Sequence, residues 1–219
     1  MSTVRKRDAA ATREKILDAA EALFAERGYH GVSIREIVAL AGVDLALVHY
    51  YFGPKDALFR EVIERRAGEH VADHLAALET LRAESDGPPG VAELIRAFCV
   101  PMFEKMGRGP RWRNYMHLLA HRALARQSEV FLAPYEKTFE PMTRQFIAAF
   151  REALPGVDEN ALFHAVYFMH GAIVYALAET GAIERLSDGR MDSSDFGTLL
   201  DRFVPFFAAG FLELAQPSR

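Results

Sequence analysis

Side chains able to do chemistry crowd one short stretch of this 219-residue sequence. Ser33, Arg35, His49, Tyr50, Tyr51 and Lys55 donate hydrogen bonds or carry positive charge, and Leu45, Ala46 and Leu47 lie among them. Such a set holds a polyanion. An arginine fork matches guanine, methyl groups match thymine methyls, and hydroxyl, imidazole and ammonium donors match phosphate. What the sequence lacks is equally informative. It contains neither a Gly-x-Ser-x-Gly elbow nor a His-Glu-x-x-His helix, so no nucleophile and base are paired by motif and binding is expected rather than catalysis.

Two short helices must position these groups. Ser33 followed by Glu36 forms a capping box, and Ile34, Ile37, Val38 and Ala41 recur at helical spacing up to Gly42, which can close the helix in the left-handed conformation. Asp44 is placed to cap a second helix over Leu45 to Phe52, with Val48 and Phe52 turned inward beside Val43. Eight residues do not hold a helix alone. A docked second helix after a tight turn is the device that enters a DNA major groove, with the polar helix end and Lys55 at the phosphates.

Read in order, these residues resemble the tetracycline-repressor family of bacterial transcription regulators. The resemblance covers roughly Thr12 to Phe59: Arg13-Glu14-Lys15-Ile16-Leu17-Asp18-Ala19-Ala20, Leu23-Phe24, Gly28-Tyr29, Gly31-Val32-Ser33-Ile34, Ile37, Ala41-Gly42-Val43, and Tyr51-Phe52 with Lys55. Two positions depart from the common pattern, Asp44 for serine or threonine and Val38 for alanine. Asp44 is expected to point at its own backbone amides, because its charge is unfavourable near phosphate. The resemblance implies an operator-binding homodimer, with a small-molecule pocket in the second domain whose occupation moves the fourth helix. Repression is the commoner outcome in such families.

The formal charge of -4 is unevenly spread. Residues 1–66 carry 11 Lys+Arg against 10 Asp+Glu, and the rest 15 against 20. Arg5, Lys6, Arg7, Arg13 and Lys15 concentrate positive charge at the front, where an arm over residues 1–8 reads mainly as a solubilising tail that DNA could order. Cys99 is the single cysteine, which suits a reducing cytoplasm. No signal peptide is read, and no uninterrupted apolar run approaches the ~20 residues of a bilayer span. A cytoplasmic protein without a membrane partner is expected.

No alternating strand pattern appears, so the fold class is all-α, with about nine helices. A first helix spans about Ala9 to Arg27, and a long fourth begins at Pro54 and runs to the break at Ser85-Asp86-Gly87-Pro88-Pro89-Gly90. Others are read at about Val91 to Met106, Arg111 to Arg126, Ser128 to Leu154, Asp158 to Leu186 and Ser194 to Ala215. Pro134, Pro141 and Pro205 are expected to kink or interrupt theirs. The domains are then 1–53, arm and helix-turn-helix, and 54–219, the helical effector-binding and dimerisation domain.

The second domain is rich in large apolar residues. Most are ordinary core, and together they support a pocket lined by Phe98, Met102, Met106, Trp112, Tyr115, Met116, Leu119, Phe139, Phe146, Tyr167 and His170, suited to a small lipophilic effector because methionine adapts to irregular shapes. The stretches Trp112 to Arg122 and Tyr167 to Leu177 also faintly resemble members sensing fatty acids or their coenzyme A esters, in which case Arg113, Arg122 or Arg126 could receive a carboxylate. His70 with His74, and His117 with His121, have the i,i+4 spacing of a metal pair, yet no third ligand is placed in sequence, so no metal and no cofactor are expected. The last two helices carry more apolar surface than one core can cover, and Phe163, Val166, Ile173, Phe203, Phe207 and Phe211 are assigned to a two-fold dimer interface. The competing reading is a helical lipid-carrier or adaptor whose Gly28 to Lys55 segment is only structural.

Overall fold

The computed structural model describes residues 2–124 and 135–215. Ten α-helices and one π-helical turn make up the described elements, and none is a strand. Their order is α1 (Ser2–Arg27), α2 (Ile34–Ala41), α3 (Leu45–Phe52), α4 (Lys55–Glu84), α5 (Val91–Gly107), α6 (Pro110–Leu124), the π turn (Tyr135–Phe139), α7 (Glu140–Ala153), α8 (Glu159–Leu177), α9 (Ala182–Leu186) and α10 (Phe196–Glu213).

Two apolar cores share α4. The amino-terminal core joins Ile16, Leu17, Ala20 and Phe24 of α1 to Ile37, Val48 and Phe52, and is closed by Leu58, Phe59, Val62, Ile63 and Ala67 of α4. Phe24 meets Phe59 edge to face at 5.1 Å, and each such buried ring contributes roughly 1.5–3 kcal/mol. This core therefore continues past the expected boundary at residue 53, along α4 to Ala67 and on to Leu118 of α6 and Phe139 of the π turn. The carboxy-terminal core gathers Leu94, Phe98, Met102, Tyr115, Met142, Phe146, Leu162, Ile173 and Phe211.

A charged seam fastens the two bodies. Glu21 of α1 is 2% exposed and accepts from both Arg66 nitrogens at 3.0 and 3.2 Å. Burial pushes its pKa up, against the pull of Arg66. Arg65 reaches Glu14 and Asp18 at 2.8 and 2.6 Å, and Asp18 also takes Arg111 of α6 at 3.2 Å. Arg66 in turn lies 5.5 Å from the Trp112 ring of α6.

Three helix boundaries differ from expectation. Helix α1 begins at Ser2, so Arg5, Lys6 and Arg7 continue a helix instead of forming an extended arm. The helix expected over Asp158 to Leu186 is two, because Glu179 (φ 43°) and Gly181 (φ 65°) adopt the left-handed conformation and end α8. The helix expected from Ser128 starts outside the described residues, as do Pro134 and Arg126; from Tyr135 the backbone is π-helical and becomes α7 at Glu140, with Pro141 in its first turn, where a missing N–H costs nothing. Pro101, which the sequence reading passed over, sits buried inside α5.

Among the described residues, α8 alone has the length and apolarity of a bilayer span, with 33% of it buried. Its inner stripe is Leu162, Val166, Met169, Ile173 and Leu177. Its outer face carries Phe163, Tyr167, Phe168 and Tyr175.

Candidate nucleic-acid interface

The capping box is formed in full. The Ser33 hydroxyl accepts from the Glu36 amide at 3.3 Å, while the Glu36 carboxylate takes the Ser33 amide and hydroxyl, both at 2.7 Å. These bonds, with Arg27 at 2.7 Å, hold the Glu36 carboxyl down at about 2. Helix α2 closes on Gly42 (φ 64°), whose N–H donates to the Val38 carbonyl.

Helix α3 docks by Val48 and Phe52, both buried, with Val43 packed against the same core. Its other side faces water. Leu45, Ala46 and His49 are exposed and Tyr50 is 81% exposed, whereas Leu47 and Tyr51 are half-buried. Ser33 and Arg35 stand exposed on the flank given by α2. Eight of the nine candidate residues thus lie exposed or half-buried on α2, α3 and the residue that caps α2.

Lys55 and Asp44 are placed otherwise than expected. The Lys55 ammonium rests 4.1 Å from the centre of the Tyr29 ring, and burial pulls its pKa down; it is half-buried and stacked on an aromatic rather than fully extended into water. The Tyr29 hydroxyl bonds Asp56 beside it, which together with burial raises the phenol to about 12. Asp44 occupies the first position before α3 with extended backbone, yet its side chain makes no capping bond. The carboxylate instead helps line a hollow of about 490 Å³ with Thr12, Lys15, Gly42, Val43 and Leu47. Neither Thr12 nor Lys15 is among the residues assigned to DNA from the sequence. Their signal was present: they fall three apart on α1, off the stripe of Ile16, Ala19 and Ala20 that enters the core.

In the second body, Phe98, Met102, Met106, Tyr115, Met116 and Phe146 are buried in one apolar cluster, with Trp112 and Leu119 packed on it. Phe139 belongs to the amino-terminal cluster and touches the His70 ring at 5.8 Å. His170 lies 5.0 Å from the Phe98 ring. Tyr167, assigned to the pocket, is 74% exposed on the outer face of α8. Four dimer assignments are also displaced: Val166, Ile173, Phe203 and Phe211 are buried in the chain's own core, leaving Phe163 exposed and Phe207 half-buried. The error is one of helical phase. Hydrophobicity alone does not say which apolar residues of a two-sided helix turn inward. Arg113 is already committed, with bonds of 3.0 and 2.7 Å to Glu179, which also takes His117 at 2.7 Å; the Arg122 side chain lies outside the described residues. No group of three His, Cys, Asp or Glu side chains converges among the described residues.

Residues 16–62 match the family described as bacterial regulatory proteins, tetR family, and residues 96–210 match the tetracyclin repressor-like C-terminal domain. The chain belongs to the TetR family. Similar proteins include the transcriptional regulator AcrR of Shigella flexneri, 25% identical over 186 residues that span 74% of this chain and 84% of that one. Among solved structures, a putative TetR-family regulator from Mesorhizobium loti superimposes with a TM-score of 0.62 at 22% identity, over 94% and 96% of the two chains. The fatty acid degradation regulator FadR from Bacillus halodurans gives 0.61 at 17% identity, over 91% and 95%. At these identities the structures establish a shared fold. The TetR assignment accounts for the split into a helix-turn-helix body and a helical second body, and marks the chain as a transcriptional regulator.

Proposed function

We propose that this TetR-family chain is a cytoplasmic repressor that binds a near-palindromic operator as a homodimer and is released by a small lipophilic effector. The observation that carries the reading is the division of α3, with Val48 and Phe52 buried and Leu45, Ala46, His49 and Tyr50 in water. Arg35 reads a guanine from α2; Leu45 and Ala46 meet thymine methyls; Ser33, His49, Tyr50, Tyr51 and Lys15 hold phosphates. Lys55 contributes chiefly by bracing Tyr29 at the start of α4.

The dimer uses the outer faces of α8 and α10. Phe163, Tyr167, Phe168, Tyr175, Phe206 and Leu212 are exposed there, and beside them lie hollows of about 540 and 930 Å³, the larger floored by Ala161, Ala165, Ala209 and Gly210. Protruding rings beside small-residue hollows on the same face are what a self-complementary two-fold contact needs. Two reading helices so related address half-sites about 34 Å apart. The effector acts without catalysis, by preferring the conformation that does not fit DNA.

A gel shift and footprint with the DNA upstream of the chain's own gene tests the reading. A salt-sensitive, two-fold symmetric footprint is expected. Failure to distinguish that DNA from random duplex at low and moderate salt would replace it by the helical lipid-carrier or adaptor reading.

A further inference from the structure

The inner face of α4 is apolar except at two places. His70 is buried and His74 is 0% exposed, their rings 4.4 Å apart. Aromatic groups close round them from four other elements: Tyr115 of α6 and Phe139 of the π turn at 6.3 and 5.8 Å from His70, and Phe98 of α5 and Phe146 of α7 at 5.6 and 6.5 Å from His74.

The tautomer of His74 follows from one bond. Its Nδ1 lies 2.7 Å from the His70 carbonyl oxygen; a carbonyl only accepts, so Nδ1 carries the hydrogen and Nε2 of the neutral ring presents a lone pair. That Nε2, near the Phe98 backbone carbonyl, and Nδ1 of His70 are buried with no hydrogen bond of good geometry. Buried polar atoms are nearly always paired, so each such orphan calls for an explanation. Burial, with Lys105 nearby, keeps both rings neutral. The charges facing them are already balanced, since the Lys105 ammonium of α5 is bound by Asp73 of α4 and stacked 4.9 Å from the Trp112 ring, and Arg108 also reaches Asp73 at 3.4 Å.

We infer that the His74 Nε2, with the His70 Nδ1 beside it, receives the hydroxyl of an uncharged lipophilic ligand, an alcohol or phenol whose carbon body lies among Phe98, Phe139, Phe146 and Tyr115. An acceptor nitrogen needs a donor, which carboxylates and phosphates do not offer. A cation would enter an apolar core already holding Lys105. Met102, Met106, Met116, Met142 and Met169 belong to the same core, and flexible thioethers repack to admit a guest. The inference rests on the effector-binding reading and gives that effector its chemistry. It also places the polar contact on the helix that begins one residue beyond the turn after α3.

The test uses the full chain without DNA and two probes of similar shape, 4-propylphenol and 4-propylanisole, the second lacking the donor. Titration calorimetry, with the fluorescence of Trp112 as a second readout, is expected to show the phenol binding about tenfold tighter or more, and His74→Phe is expected to abolish that preference. In the unaltered protein the nitrogen-15 signal of the His74 Nε2 should move to lower frequency on adding the phenol and stay in place with the ether, which decides the matter even if the variant folds poorly. Equal binding of the two probes, binding of neither, a preference retained in both His74→Phe and His70→Phe, or an unmoved Nε2 signal would overturn the inference. Because no DNA is present, either reading can fail without the other.

Discussion

The amino-terminal body and the carboxy-terminal body are both bundles of amphipathic helices, but they leave different things unfinished. Inside the first, the core is apolar and buried Glu21 is held by Arg66 at 3.0 Å, with one Arg65 nitrogen beside it left without a hydrogen bond. What it shows to water is mixed, methyl groups of Leu45 and Ala46 beside the donors of Arg35 and His49 and the 81% exposed ring of Tyr50. The second is unfinished on both sides of its wall. Whole aromatic rings stand outside, Tyr167 and Phe206 each 74% exposed, while two imidazole nitrogens inside have no hydrogen bond of good geometry. The contrast teaches that a surface suited to a duplex interrupts its apolar groups with donors, because phosphate contacts need water-accessible polar groups. A surface suited to another copy is more continuously apolar.

The sharpest way to break the comparison is Phe206→Arg. A charge in the middle of the aromatic face should halve the mass measured by light scattering and weaken operator binding about a hundredfold or more, since the second half-site then no longer binds intramolecularly. An unchanged mass would mean that this face does not pair. Acid probes the interior difference next. The His74 pKa falls from 6.5 to about 4, mainly through burial, and His70 shifts the same way. A depressed imidazole binds protons more readily when unfolded, so stability is complete above pH 6.5 and is lost as pH falls towards 4. The loss from His74 alone is on the order of 3 kcal/mol. Denaturant midpoints followed by Trp112 fluorescence should drop across that window and recover in His74→Phe; a flat profile would show that the imidazoles titrate normally.

On the amino-terminal side, Arg35→Ala should cost about 1–3 kcal/mol at one base position only, whereas Lys15→Ala should weaken all sequences alike and lower the salt slope by about 1. Equal loss on operator and random duplex for Arg35→Ala would make it a phosphate contact. The smallest effect is expected from Ser33→Ala, about 1 kcal/mol of thermal stability through loss of the capping box. A loss far above that would show that Ser33 supports more than the start of α2.

The reading region was legible because its signals are local. Ser33 and Glu36 cap a helix by contacts three residues apart, and Gly42 ends it through its own φ of 64°. The stacking of Lys55 was not legible, because its partner, Tyr29, lies 26 residues away in sequence and arrives only when the amino-terminal helices pack together. The same holds for α8, where Val166 and Tyr167 are adjacent and comparably apolar, yet one is buried and the other stands in water. His70 and His74 were seen as a pair on one helix face, but nothing local shows which neighbours that face meets.

By itself, then, the order of residues determined that the fold is all-α, where several of its turns fall, Gly28, Gly42 and residues 85–90 among them, and that a small capped pair of helices carries donors and methyls together. Those properties follow from neighbours within four positions, whose backbone and caps interact before any tertiary contact forms. Only the assembled molecule decided which side of α8 and α10 stays wet, where Lys55 and Arg113 spend their charge, and that two imidazole nitrogens close inside α4 without a hydrogen bond of good geometry. Those outcomes depend on contacts between distant segments, because burial belongs to the packed ensemble of helices and to no single one of them.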